Sequence, residues 1–191
     1  EPEPLCDNIS GTASVCVLDP CLLPLLITEV HADGLVDSAS EWLELTNTGT
    51  LAVDLSPWSF ADQTTQGAAA EGAIRFGVGM TLAAGKSIVV ANSGTNFQTE
   101  FGKAPSYEYG TDTASTAPYL HRVSDWSPNT NIQLDNGADQ LALACAGVIR
   151  DIVRWGPPPT DNLTVPAPSA DYSAANPTAG PVTFERLRGA R

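Results

Sequence analysis

The residues with chemistry to offer are few: four cysteines, two histidines, a short run of carboxylates and an aromatic group late in the chain. Cys6, Cys16, Cys21 and Cys145 are 10, 5 and 124 positions apart, which does not make the paired C-x-x-C or His spacings of a zinc site. Disulfides fit these gaps better, because a polar, Pro-rich N-terminal segment gains order from being stapled. Four cysteines allow three pairings; the expectation is Cys6–Cys16 and Cys21–Cys145, the second tying the entry of the first strand to a late strand. Oxidised cysteines imply an extracytoplasmic compartment.

Nucleophile patterns are absent: the chain has no G-x-S-x-G, no H-E-x-x-H and no Gly-rich phosphate loop. His31 and His121 stand alone in unlike contexts, which reads as surface or satisfied histidine rather than a catalytic base. Glu41 and Glu44, three apart on one strand, point to opposite faces and so make no glycosidase pair. Asp33, Asp37 and Glu41 recur at spacings of four, and Ca²⁺ wants several such oxygen ligands. The loop lacks the D-x-D-x-D-G core of an EF-hand, and a solvated acidic turn explains the same residues. Tyr107, Tyr109, Tyr119, His121, Arg122 and Trp126 lie in a stretch poor in aliphatic residues, 103–130. Exposed aromatics mixed with polar groups make protein or carbohydrate contacts, and rings folded back onto the core would give the same composition.

The elements that must position these residues read as strands. Leu25–His31 is dense in branched residues and Glu41–Thr46 alternates apolar with polar before an Asn-Thr-Gly turn. Short strands are expected at Leu51–Leu55, Trp58–Ala61, Ala73–Phe76 and Lys86–Asn92, with a helical turn at Thr95–Phe101 whose Phe97 and Phe101 face the same way. Ile132–Leu134, Gln140–Cys145 and Val148–Trp155 read as a closing meander with Asp-Asn-Gly and Ala-Gly turns, and Thr183–Arg188 as one last strand. Trp42 and Trp58 are expected in or beside the core, and Trp155, before the proline run, as a cap on the sheet edge. The organisation expected is a Cys-bearing N-terminal segment or linker over 1–21, a β-sandwich over 22–155, and a Pro/Ala/Ser-rich extension over 156–191.

The chain has 191 residues, with 9 Lys+Arg against 22 Asp+Glu for a net charge of −13. The first cationic side chain is Arg75, so twelve carboxylates precede any Lys or Arg. That distribution argues against nucleic acid and against an anionic bilayer surface. No apolar run approaches the roughly 20 residues of a membrane helix. The chain opens without Met or a signal peptide, so it is expected to begin after a removed export or linker segment.

Five blocks in order resemble the lamin tail domain family. They are Ile-Thr-Glu-Val at 27–30, Glu-Trp-Leu-Glu-Leu-Thr-Asn at 41–47, Val-Asp-Leu-Ser-Pro-Trp-Ser-Phe at 53–60, Ile-Arg-Phe with Thr-Leu-Ala-Ala-Gly-Lys-Ser-Ile-Val-Val-Ala at 81–91, and the stretch Leu134–Val153. Pro57 stands where the family usually has Gly. The resemblance implies an all-β, immunoglobulin-like sandwich with long loops, no active site, and structural hydrogen bonding by Glu29 and Glu44. It further implies an adhesion, assembly or targeting module of a secreted or surface bacterial protein, bound to protein or surface glycan, with self-association through an open strand edge also open. Two other functions stay open: an accessory domain of a secreted hydrolase or nuclease, and a calcium-dependent carbohydrate-binding module. No other cofactor is expected.

Overall fold

Period-two alternation builds the sheet that organises the molecule. In the strand Trp42–Asn47 the side chains of Leu43 and Leu45 enter the core, while Trp42, Glu44 and Thr46 take the other face. The computed structural model describes residues 5–6, 16–17, 19–34, 36, 39–62, 72–110, 116–123, 132–156, 170–172 and 182–185. In chain order the strands are β1 (Leu5–Cys6), β2 (Cys16–Val17), β3 (Leu25–Asp33), β4 (Trp42–Asn47), β5 (Val53–Asp54), β6 (Trp58–Ala61), β7 (Ala73–Arg75), β8 (Thr81–Leu82) and β9 (Ser87–Ala91). Helix α1 (Gly94–Phe101) precedes β10 (Tyr107–Glu108), β11 (His121–Arg122), β12 (Asp139–Cys145), β13 (Val148–Trp155), β14 (Ala170–Tyr172) and β15 (Val182–Glu185).

Two sheets form the sandwich. One has the order β10-β9-β4-β3-β15, the other β11-β7-β6-β12-β13-β14; β1-β2 and β5-β8 are separate two-stranded ribbons. Pairing is antiparallel except for β10 on β9 and β14 on β13. The inner faces enclose one core that includes Ile27, Leu43, Trp58, Phe60, Leu143 and Trp155. The expected all-β, immunoglobulin-like sandwich is therefore the observed architecture.

β3 cannot keep one alternation along its length. Leu25 and Ile27 face the core, and so do Val30 and Ala32, two pairs of opposite parity. A bulge between Ile27 and Glu29 inserts Thr28 against β4 and flips the phase, so both halves of the strand bury their apolar side chains. β13 carries a matching irregularity opposite Leu143/Ala144, which leaves Arg150 as the extra residue.

The helical turn expected at Thr95–Phe101 is α1. Ser93 caps it by accepting from the Asn96 amide at 3.2 Å, the buried carboxylate of Glu108 accepts from the Gly94 amide at 2.8 Å, and Gly102 ends it at φ 70°. A carboxylate at that end also complements the helix dipole.

Four expectations need correction. Leu51–Leu55 forms only the two-residue β5, because Asn47 donates to the Leu51 carbonyl and accepts from the Gly49 amide, holding the loop in place of a ladder. Ile132–Leu134 is no strand, although both apolar side chains are buried; the Gln133 amide donates to the Asp62 carboxylate at 2.9 Å rather than to a neighbouring strand. Trp155 is not at a sheet edge but wholly buried, its indole N–H donating to the Asp135 carbonyl at 2.8 Å. The N-terminal segment, which shows no period, nevertheless supplies β1 and β2, with Cys6 opposite Cys16 in the register.

Candidate functional site

The turn after β7 and the segment entering β11 together form a groove. Phe76 donates its amide to the Trp58 carbonyl at 3.2 Å, and Met80 returns the chain to β5 by accepting from the Leu55 amide at 2.8 Å. Gly79 takes φ 83°, which a β-carbon would disfavour, and that turn projects Val78 into solvent at 98% exposure. On the opposite bank, Leu120 is buried and donates its amide to the Glu108 carbonyl at 2.7 Å. Tyr119 donates its hydroxyl to the Gly110 carbonyl at 2.9 Å, and its ring stands edge-on to His121 with centroids 5.4 Å apart. The groove between these banks encloses about 530 Å³ and is lined by Arg75, Phe76, Val78, Met80, Tyr119 and His121, among others.

Its electrostatics run against those of the chain as a whole. Arg75 and His121 are opposite one another in the β7–β11 register and both are exposed, with exposed Arg122 following. Residues directly opposite in adjacent strands share a face. The two basic groups therefore stand side by side at the groove in a chain of net charge −13.

The expected contact residues in 103–130 separate into three groups. Tyr119 and His121 line the groove, while Arg122, exposed and opposite Ile74 in the register, does not. Tyr107 is half-buried against Phe76 with centroids 5.9 Å apart, and Tyr109 is fully buried against Phe60, so Tyr109 is a core residue and not an exposed contact. Trp126 lies outside the described residues. Burial is the first cause raising the Tyr109 hydroxyl well above its ordinary pKa; the Glu41 and Asp62 carboxylates add to this, and an Asn92 side-chain hydrogen bond opposes it.

The carboxylates considered for Ca²⁺ divide as well. Asp33 is half-exposed at the end of β3, Glu41 is 1% exposed with its charge acting on Tyr109, and Asp37 lies outside the described residues. No cluster of three or more His, Cys, Asp or Glu suited to a metal ion occurs among the described residues. Glu44, on the outer face, accepts from the Thr28 hydroxyl at 2.7 Å within a chain that continues through Thr46 to Ser87. Cys21 and Cys145 form a disulfide that links the entry of β3 to the end of β12.

His31 is buried. It stacks on Trp42 with centroids 5.4 Å apart, beneath Phe97 and Phe101 of α1, and its Nε2 lies 3.9 Å from Glu100. Desolvation lowers its pKa from the ordinary 6.5, opposed by the charges of Glu100 and Asp33.

The lamin tail domain family matches residues 23–157, most of the chain and nearly all of the sandwich. The chain belongs to the lamin tail domain family. This lamin tail domain is thus part of a non-enzymatic, immunoglobulin-like family; its groove and helix fall inside the matched residues, whereas the disulfide ties Cys145 within them to Cys21 just before them. No curated protein matches it. Among solved structures it is similar to a DUF4876 family protein from Bacteroides thetaiotaomicron VPI-5482, at 14% identity and a TM-score of 0.46. That likeness covers 68% of this chain and 43% of the other, so the lamin tail domain spans less than half the length of that protein.

The sequence singled out Tyr119 and His121 as candidate contacts but not the other groove residues Arg75, Phe76, Val78 and Met80. The only local signal was Gly-Val-Gly-Met at 77–80, a turn that leaves a branched apolar residue no strand to join.

Proposed function

We propose that this lamin tail domain is a non-catalytic interaction module of an exported or surface protein, serving adhesion, assembly or targeting, and that it contacts its partner through the groove between residues 76–80 and Tyr119–His121. One observation carries this reading. The groove sets a fully exposed branched residue, Val78, beside the paired basic groups Arg75 and His121. A single exposed residue such as Val78 is ordinary, but half-buried Met80 extends it into an apolar surface that Arg75 and His121 rim, as in contact surfaces. The buried Cys21–Cys145 disulfide supports a compartment outside the reducing cytosol.

The test is site-specific photo-crosslinking in the organism that makes the protein. A photoreactive residue at Val78 is compared with one at Val148, which is 53% exposed and lies at the start of β13. Discrete adducts from position 78 and none from position 148 support the reading. Equal labelling, or none from position 78, overturns it.

A further inference from the structure

We infer, resting on the reading above, that the groove binds an extended peptide in which a carboxylate adjoins an aliphatic side chain, the carboxylate meeting Arg75 and His121 and the aliphatic group meeting Phe76, Val78 and Met80. Exposed Arg75 stands directly opposite exposed His121, so an anion seated between them takes a charge-assisted bond from the guanidinium and a hydrogen bond from the imidazole N–H. The overall charge of −13 limits how acidic the ligand is. Beyond a Debye length of about 8 Å at physiological salt the acidic surroundings are screened, so one or two carboxylates seated at close range are favoured over a dense polyanion.

The apolar part of the groove decides between peptide and glycan. A sugar ring packs on an open, flat aromatic face. Tyr107 is turned onto Phe76 and Tyr109 is buried, which leaves only the half-buried ring of Tyr119, perpendicular to His121 with its hydroxyl engaged, among the described tyrosines. The groove offers instead the aliphatic Val78 and the unbranched thioether of Met80, which adapts to varied side chains. Its volume of about 530 Å³ lies within the span of ligand sites.

Fluorescence anisotropy tests this on the full chain with a labelled peptide of sequence Gly-Pro-Glu-Leu-Pro-Glu-Leu-Pro-Gly. Comparison ligands are the same peptide with Gln for Glu, the same with Ala for Leu, and an oligogalacturonate. The Glu-Leu peptide binds, each altered peptide binds at least about fivefold more weakly, and Arg75→Glu weakens the parent peptide about tenfold while melting at the wild-type temperature. Arg122→Glu, one residue beyond the pair, gives a smaller loss. Equal binding of the Gln peptide, indifference to Arg75→Glu, or binding of the oligogalacturonate in place of the peptide overturns the inference. Adducts from position 78 combined with no peptide binding leave the interaction module standing and remove only this ligand class.

Discussion

Asp151 of β13 accepts a 2.8 Å hydrogen bond from the backbone amide of Ile27 in β3, across the two sheets and wholly buried. The described pairing of β3 with β15 ends at Glu29, and two residues further on a carboxylate takes the place of a ladder carbonyl. Both partners sit next to a bulge, at Thr28 in one strand and Arg150 in the other. The bulge in β13 puts Asp151 on the core face with Val153 and Trp155, while the bulge in β3 changes which side chains point inward. The bond joins the sheets where their alternation is reset.

Asp151→Ala leaves the Ile27 amide buried without this acceptor. Hydrogen bonds to charged groups and the desolvation of an orphaned donor together put the loss at about 2–4 kcal/mol. Urea unfolding should show a lower midpoint at unchanged slope. A loss under about 0.5 kcal/mol would mean that water or a neighbour replaces the carboxylate.

The disulfide between Cys21 and Cys145 closes a loop with a sequence separation of 124. Chain-entropy reasoning gives about 4–5 kcal/mol for a loop of this size. Joint replacement, Cys21→Ala with Cys145→Ala, should lower the melting temperature by about 8–20 °C relative to the oxidised protein. Coincident melting curves would show that packing alone holds the entry of β3 to β12.

Protonation of His31 is disfavoured in the folded state, chiefly by desolvation. Its folded pKa lies below 6.5, so between those two values the unfolded chain binds more protons and stability rises with pH. Acidification from pH 6.5 downward therefore removes stability until the folded pKa is reached. His31→Gln should flatten that part of the stability–pH curve. A wild-type-minus-variant difference that stays level across this window would contradict the burial of a neutral imidazole beneath α1.

Calcium and chelator should give the same melting temperature for the non-reduced chain. Glu41, one of the three carboxylates of the 31–41 loop, is buried and its charge falls on Tyr109. A ligand that binds only the folded state raises the melting temperature by mass action. A rise of several degrees with Ca²⁺ would make Asp33, Asp37 and Glu41 a metal site after all.

Much of the fold was legible because strand periodicity is local. Trp58–Ala61 and Val148–Trp155 have the bounds that alternation and turn residues imply, and α1 follows from Phe97 and Phe101 four apart. The order of the family-like blocks carried the sandwich itself. The family resemblance also indicated that Glu44 would be hydrogen-bonded, as it is to Thr28.

The remainder was decided in three dimensions. No local pattern says that Thr28 is an extra residue, because a bulge is defined by the strand it faces. The three tyrosines of one loop look equivalent in sequence; anchoring of the loop by Leu120 and by the β10–β9 pairing buries Tyr109, half-buries Tyr107 and leaves Tyr119 at the groove. Arg75 and His121 are far apart in the chain and become neighbours only through the β7–β11 register. Composition and periodicity act over a few residues and so determined which segments are strands. Which side chains meet across strands depends on register and closure, and only the assembled sandwich sets those.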